Sequence, residues 1–321
     1  MALRSDGPPA FWRSTAFWPA EQVVISYLAL FSLIALLRLG PGLLALRLVA
    51  VSGTLAGLLV VVARRTGEGS ILGLRHWYLF SLLPLIYGNV GLVNKAFPDH
   101  VYDTLVQGWE QALFGGQVSR EWWQAHPSVG WSTLLHAAYL AFYPVILAPS
   151  VYFTARGAGG AARRATLWVI ATFAVSYLLF LVFPVAGPYY RFPRPSGAFV
   201  ENPMAGLVYA TLRAESAYGA AFPSSHVAAA WVATAAAAAA SRRLAVGLAA
   251  VSALLSVAVV YTQMHYLIDA LAGIGLAVLL ILAGWWWEGR AAAGRELEGG
   301  SREPTDGQPS NPASLLSLRD R

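Results

Sequence analysis

Long apolar runs with almost no charge are the feature that most limits how this chain can fold. Eight of them approach or exceed the roughly 18 to 20 residues that a helix needs to cross a hydrocarbon core about 30 Å thick. The runs are continuous, without the alternation expected of barrel strands. They predict an all-α fold, a polytopic membrane helix bundle with about eight transmembrane helices. The predicted spans are Glu21–Leu37, Pro41–Ala63, His76–Lys95, Trp131–Phe153, Ala165–Val185, Ser224–Ala240, Leu244–Thr262 and Tyr266–Trp287.

The few charges indicate how such a bundle is oriented. Only 12% of the 321 residues are charged, and the net charge of +6 comes from 21 arginines and one lysine. Arginines recur in every second connection and near the N-terminus, and cytoplasmic loops retain positive charge. We therefore expect a multi-pass protein of a bacterial-type cell membrane with both termini in the cytoplasm. The loops 96–130 and 186–223 and the turn at Met264 and His265 are then external.

Composition also excludes several kinds of protein. The chain has no cysteine, so disulfides, thiolate nucleophiles and sulfur-ligated metals are impossible. It has no basic face with interleaved aromatic residues, so a nucleic-acid partner is not expected. Nothing in the sequence predicts an oligomeric state.

The chain divides into four predicted parts. A cytoplasmic N-terminal segment covers residues 1–20, and N-terminal transmembrane helices cover 21–95. A catalytic membrane domain with a six-helix core covers 96–288, including an amphipathic segment, Val101–Phe114, that is too polar to span and is predicted to lie in the membrane interface. From residue 289 the apolar fraction collapses, which predicts a disordered cytoplasmic tail over 289–321.

The stretch FPSSHVAAAW, residues 222–231, places a histidine at the start of an alanine-rich helix. Pro223 ends what precedes it, and Ser224 or Ser225 is a preferred N-cap. The first N–H groups of a helix lack intrahelical partners and attract anions. His226 beside them could donate a proton to a leaving oxygen, or it could be a structural histidine.

A second titratable pair lies near the start of the last span. His265 and Asp269 are four residues apart, so on a helix they share one face. A carboxylate inside a membrane is costly unless it has a partner. Asp269 could fix one imidazole nitrogen and leave the other free as a nucleophile or base. The alternative is a structural pair that ties two spans together.

Two arginines follow the fifth span in the stretch GPYYRFPRP, residues 187–195. The planar guanidinium groups of Arg191 and Arg194 could clamp phosphate oxygens, although external arginines also contact lipid headgroups. Taken together, an anion-binding helix start, a proton donor, an oriented nucleophile and a cationic clamp are what phosphoryl transfer from a lipid phosphate requires.

These motifs resemble those of the type 2 phosphatidic acid phosphatase superfamily, whose pattern is K-x6-RP, then PSGH, then SR-x5-H-x3-D. Arg194 and Pro195 match the RP, with Gly187 in place of the lysine. PSSH, residues 223–226, replaces PSGH. His265 and Asp269 are kept, whereas Ala258 and Val259 stand where the family has Ser-Arg.

The phrases GPYY, FPSSHVA and HYLIDALAG resemble most closely the branch that contains the inositol phosphorylceramide synthases, enzymes of sphingolipid metabolism. This resemblance implies a phosphotransferase in which His265 attacks phosphorus, Asp269 holds His265, and His226 protonates the leaving group and then activates the acceptor. It implies no metal and no cofactor. Phosphate-binding candidates are Arg191, Arg194, Ser224, Ser225 and Lys95, with Arg120 and Arg47 as further cations.

The acceptor remains open at this point. An alcohol such as inositol would need a polar pocket, predicted from Tyr87, Asn89, Asn94, His136, Tyr139 and Tyr143. Water as the acceptor would make the protein a simple phosphatase for phosphatidate or polyprenyl phosphate. A non-catalytic lipid transporter or scaffold is the alternative from another class, favoured by the missing lysine and arginine.

Overall fold

Thirteen α-helices follow one another in the residues that the computed structural model describes, 17–65 and 74–300. Those residues form no β-strand; one short 3-10 turn, Gly197–Phe199, and one isolated β-bridge interrupt the helical pattern. The predicted all-α class is confirmed. The helices are α1 (Pro19–Leu39), α2 (Leu43–Arg65), α3 (Leu74–Lys95), α4 (Asp103–Phe114), α5 (Val118–Ala125), α6 (Val129–Leu140), α7 (Phe142–Ala155), α8 (Gly159–Val182), α9 (Pro188–Arg191), α10 (Pro203–Glu215), α11 (Ser225–Ala238), α12 (Arg242–Tyr261) and α13 (Leu267–Gly300).

Five of these helices are long and apolar enough to cross a membrane, namely α1, α2, α8, α12 and the Leu267–Arg290 part of α13. The bent pair of α6 and α7 makes a sixth candidate if it forms one span. The chain is thus a multi-pass membrane protein. The count of eight and the six-helix core stay predictions, because α3 does not qualify and the 14 residues of α11 extend for only about 21 Å.

The fourth predicted span, Trp131–Phe153, is not one continuous helix. It breaks at Ala141 into α6 and α7, which meet at an angle of 41°. Pro144 explains the position of the break, since a proline has no N–H to bond the carbonyl four residues earlier, and its ring clashes with that carbonyl. The bend turns the end of α6 and the start of α7 toward the N-terminus of α11.

Helix α11 lies at the centre of the bundle, in contact with α7, α8 and α12. Six of its eight alanines are buried. Small side chains allow helices to approach closely in a membrane, where apolar burial alone gives little preference for one neighbour over another. The alanine run therefore serves packing, as the sequence indicates.

Helix α4 is amphipathic, but its polar face is buried and its apolar face is exposed. Its buried face carries Asp103, Val106 and Glu110, while large apolar side chains such as Trp109 and Leu113 are exposed. A helix in a water-soluble protein would present the opposite arrangement. An exposed apolar face suits a helix that lies in the membrane interface, which is the predicted setting of this segment.

The C-terminal boundary differs from the prediction. Helix α13 continues to Gly300, so residues 289–300 of the predicted tail are helical. Alanine, arginine and glutamate are good helix formers and prolong the helix after the apolar residues end. The chain forms one compact unit up to Gly284, and a second unit begins at Trp285. The remainder of the predicted tail and residues 1–16 lie outside the described residues.

A buried ion pair joins α1 to α3. Arg75, which lies just outside the predicted span His76–Lys95, is inside α3, where its Nε and Nη2 atoms donate to the Glu21 carboxylate over 2.8 and 2.6 Å. Both side chains are almost fully buried. The Tyr78 hydroxyl donates to the same carboxylate. Glu21 therefore accepts hydrogen bonds from two side chains of α3.

Glu21→Ala is expected to destabilise the protein strongly, because it leaves a buried guanidinium without its carboxylate. Removing one partner of a buried pair costs about 3–5 kcal/mol. Thermal unfolding in detergent should show a clearly lower midpoint. Glu201→Ala, at an exposed loop residue, is the control and should leave the midpoint nearly unchanged; equal midpoints for the two variants would contradict this account.

Candidate active site

Ser224 starts α11 and caps it. Its Oγ accepts the N–H of Val227 at 3.4 Å, and its own N–H donates to the backbone carbonyl of Asp269 at 2.9 Å. Of the two predicted caps, Ser224 is thus the one used, and Ser225 is the first helical residue. The backbone N–H groups of Ser225 and His226 have no intrahelical acceptor, which leaves two donors at the helix start.

His226 stands in the first turn of α11 against two aromatic side chains of the bent pair. Its ring centroid lies 4.3 Å from that of Phe142 and 5.1 Å from that of Tyr139. The Nε2 atom is 3.4 Å from the Tyr139 hydroxyl, and Nδ1 has no hydrogen-bond partner in the protein. The imidazole is held by packing, with its hydrogen-bonding capacity largely unused.

His265 lies in the turn between α12 and α13, and Asp269 lies in the first turn of α13. Nδ1 of His265 is 3.4 Å from Oδ2 of Asp269, which places the pair in contact without an aligned hydrogen bond. The same Oδ2 accepts the N–H of Tyr266 at 2.9 Å. Burial lowers the pKa of His265 to about 4. The ring is therefore neutral at pH 7 and keeps a lone pair for attack.

The two histidines come from segments 39 residues apart and meet in the folded chain. Their ring centroids are 5.8 Å apart, with the planes at 61°. Close packing of α13 on the start of α11 produces this approach. Gly273 allows it, because a Cβ there would lie 2.6 Å from the carbonyl oxygen of Ser224 and 3.2 Å from Cβ of Val227.

Asp103 in α4, which the sequence analysis did not single out, links the arginine-bearing loop to the histidine turn. Its carboxylate accepts the N–H groups of Ala186 and Gly187 at 2.8 and 2.9 Å, and the Tyr266 hydroxyl at 3.0 Å. Arg191 approaches it at 3.6 Å. One buried acid thus fixes the loop after α8 relative to the residue that follows His265.

Glu110 lies seven residues after Asp103, on the same face of α4. It is a second buried acid that the sequence analysis did not single out. Burial raises its pKa to about 7, opposed by hydrogen bonds from the backbone N–H groups of Leu267 and Val118. The bond from Val118 measures 2.9 Å. Glu110 therefore contacts the first turn of α13. The sequence signal was the spacing, since residues seven apart share a helical face opposite the apolar one.

The predicted cations have different partners in the structure. Arg191 is directed to Asp103, and Arg194 lies over the Tyr189 ring at 4.5 Å. Arg120 lies 5.7 Å from the Phe192 ring centroid, and that ring packs against Tyr266. Arg191 and Arg120 are thus each linked to Tyr266, the residue next to His265, through one intervening side chain. Lys95 at the end of α3 and Arg47 on α2 are exposed.

The six residues of the predicted acceptor pocket do not all line the same cavity. Tyr87, Tyr139 and Tyr143 line one cavity of about 120 Å³ that also borders His226. Asn94 instead binds backbone carbonyls and accepts a hydrogen bond from Arg38, a residue of α1. His136 bonds to Ser132 within α6, and Asn89 is buried in α3.

Metal-ligand clusters are not found in the part of the chain that the structure describes, where no group of three or more His, Asp and Glu side chains could hold an ion. The expectation of a reaction without metal or cofactor stays a prediction.

The fold and this site define a class of protein: a helical membrane protein in which two histidines, one beside a buried aspartate, meet where two helices begin. The chain belongs to the PAP2 superfamily, whose sequence profile matches residues 106–283, more than half of its length. No curated protein and no solved structure matches it. It is accordingly a protein of the lipid phosphatase and phosphotransferase kind.

Two of the four departures from the family pattern lie where the backbone is closely packed. Gly187, in place of the lysine, has φ +88°, and a Cβ there would lie 2.8 Å from that of Ala221, so a longer side chain does not fit without rearrangement. Val259, in place of the arginine, is fully buried, and its carbonyl accepts the N–H of His265 at 2.8 Å.

Gly273→Val is expected to push the start of α13 away from Ser224 and so separate the two histidines. A misplacement of about 1 Å at a catalytic group can cost on the order of 10²-fold in rate. Turnover of a lipid phosphate by the purified protein in detergent would measure the loss. Gly275→Val is the matched control, since a Cβ at Gly275 meets nothing within 4 Å; the idea fails if both variants keep full turnover.

Proposed function

We propose that this protein is an integral-membrane enzyme that transfers a phosphoryl group from a lipid phosphate to an acceptor through a phosphohistidine. The observation that carries the proposal is the approach of the His226 and His265 rings, with centroids 5.8 Å apart. At this separation both rings can contact one phosphoryl group, one as nucleophile and the other as acid. Membership of the PAP2 superfamily supports a lipid phosphate as the substrate.

In the first half-reaction the lone pair on Nε2 of neutral His265 attacks phosphorus. The bond from phosphorus to the lipid oxygen breaks, and that oxygen takes a proton from the imidazolium form of His226, which becomes neutral. In the second half-reaction His226 takes a proton from the acceptor as its oxygen attacks phosphorus, and the bond from nitrogen to phosphorus breaks. Asp269, 3.4 Å from Nδ1 of His265, favours the tautomer that leaves Nε2 free.

The phosphoryl oxygens need positive partners. The backbone N–H groups of Ser225 and His226 supply two donors at the positive end of the α11 dipole. Arg191 supplies charge from the loop fixed by Asp103. Arg194 and Lys95 belong to the proposal by charge alone, because no contact described for them reaches the histidines. The hydroxyl of Ser224 already accepts a backbone N–H, so its part is to build the helix start.

The arginine pattern supports a topology in which both termini lie in the cytoplasm and the histidines lie at the external face. An external site would receive its lipid phosphate from the outer leaflet. A lipid transporter or silent scaffold would need neither histidine, and a catalytic variant separates these classes.

His265→Ala is expected to remove turnover, with a loss on the order of 10³-fold or more, since no other group in the mechanism forms the bond to phosphorus. Phosphate release from a lipid phosphate by the purified protein in detergent measures it, and acid-labile labelling of the wild-type protein reports the phosphohistidine. His100→Ala, at an exposed histidine, is the control. Unchanged turnover in a folded His265→Ala protein would exclude this mechanism.

An analysis of the products would distinguish an alcohol acceptor from water. The resemblance to the inositol phosphorylceramide synthase branch favours an alcohol such as inositol, and water makes the enzyme a phosphatase. With a lipid phosphate donor and added inositol, a transferase should form a phosphoinositol product and release less free phosphate. Equal phosphate release with and without inositol, and no new product, would establish water as the acceptor under those conditions.

A further inference from the structure

A cavity of about 120 Å³ extends from His226 into the bundle, between α3, α6, α7, α8, α10 and α11. Ser225 and His226 border it where α11 begins. Its walls within the bundle are formed by buried apolar side chains, among them Leu83 of α3, Ile146 of α7 and Phe173 of α8. The cavity thus joins a catalytic group to the hydrocarbon interior of the protein.

Most of the lining surface is apolar, and its polar groups are uncharged hydroxyls and one imidazole. Seven of the fifteen lining residues carry a hydroxyl: Tyr87, Tyr139, Tyr143, Tyr177, Thr211, Ser216 and Ser225. The lining contains no Asp, Glu, Lys or Arg among the described residues. The Tyr139 hydroxyl faces Nε2 of His226, and the Tyr177 hydroxyl is 3.4 Å from the carbonyl of Leu83. A charged headgroup would lose hydration here without gaining an ion partner, whereas a hydrocarbon chain has no charge to desolvate.

His265 does not line the cavity, and this asymmetry decides which part of a substrate faces it. In phosphoryl transfer the attacking and leaving atoms stand roughly in line on opposite sides of phosphorus. When His265 attacks, the leaving oxygen is on the side of His226, which protonates it. The carbon skeleton attached to that oxygen then continues on the His226 side, where the cavity begins.

The cavity also has a way out toward lipid. Its exposed lining residues are Pro84 on α3 and Tyr143 on α7. Beside them on α3, Leu85 and Leu92 are large apolar side chains that are almost half exposed. In a membrane protein such a surface contacts lipid, so an apolar chain can reach His226 sideways between α3 and α7.

We propose that this cavity holds the first part of one hydrocarbon chain of the leaving group, and that the rest of the chain passes between α3 and α7 into the bilayer. The inference rests on the phosphohistidine mechanism proposed above. A volume of about 120 Å³ is several times what one water needs, so a segment of hydrocarbon chain fits.

Leu83→Trp fills part of the cavity from α3, a helix with no catalytic residue. Two probes with different leaving groups are compared: farnesyl monophosphate in detergent micelles and p-nitrophenyl phosphate, which has no chain. The ratio of kcat/KM for farnesyl monophosphate to kcat/KM for p-nitrophenyl phosphate should fall at least about tenfold. Leu33→Trp makes the same substitution at an exposed position of α1, a helix that does not line the cavity, and should change the ratio less than about twofold.

Ile146→Phe repeats the test from α7 with a smaller insertion, in case Leu83→Trp does not fold. The proposal is overturned if a folded variant leaves the ratio at the wild-type value, whether both rates are kept or both fall equally. A wild-type protein that turns over neither probe, with water alone or with added inositol as the acceptor, would instead contradict the proposed function. Wild-type activity on both probes with an unchanged ratio in the variants contradicts the chain site alone.

Discussion

The contact between the first turns of α11 and α13 is the constraint on which the rest of the site depends. The N–H of Ser224 donates to the carbonyl of Asp269, and Gly273 lies against the carbonyl of Ser224. A hydrogen bond and a missing side chain thus bring two helix starts within van der Waals distance. Because His226 and His265 are carried by these two starts, their separation is set by backbone packing and not by side-chain flexibility.

Helix α4 supports this arrangement from the side. Asp103 binds the loop after α8 and the Tyr266 hydroxyl, and Glu110 contacts the first turn of α13. Carboxylates near a helix N-terminus are stabilised by its partial positive charge. With its acids buried and its apolar side chains exposed, α4 can rest in the membrane interface and hold the site at the same time. An interfacial helix thereby becomes part of the active-site framework.

The positions where this chain departs from the family pattern show how the site manages with fewer cations. Gly187 and Val259 serve the backbone: one permits a close approach to Ala221, and the other offers a carbonyl to the N–H of His265. In the proposed mechanism, positive charge comes instead from Arg191 and from the N–H groups at the start of α11. On the other side of His226 the cavity contributes no charge, which suits a leaving group made of hydrocarbon.

The sequence by itself determined the fold class, because uninterrupted apolar runs can satisfy their backbone only as helices in a membrane. It also indicated His226, His265 and Asp269 as candidates, since a helix cap and a four-residue spacing are local properties; their catalytic roles stay predictions, and His265 lies in the turn before α13, not on the helix. Only the tertiary structure decided the depth of Arg75 and the buried positions of Asp103 and Glu110. These features depend on which distant segment packs against each residue. In an apolar bundle many pairings of helices satisfy the same local pattern. Close packing at residues such as Gly273 selects one of these pairings.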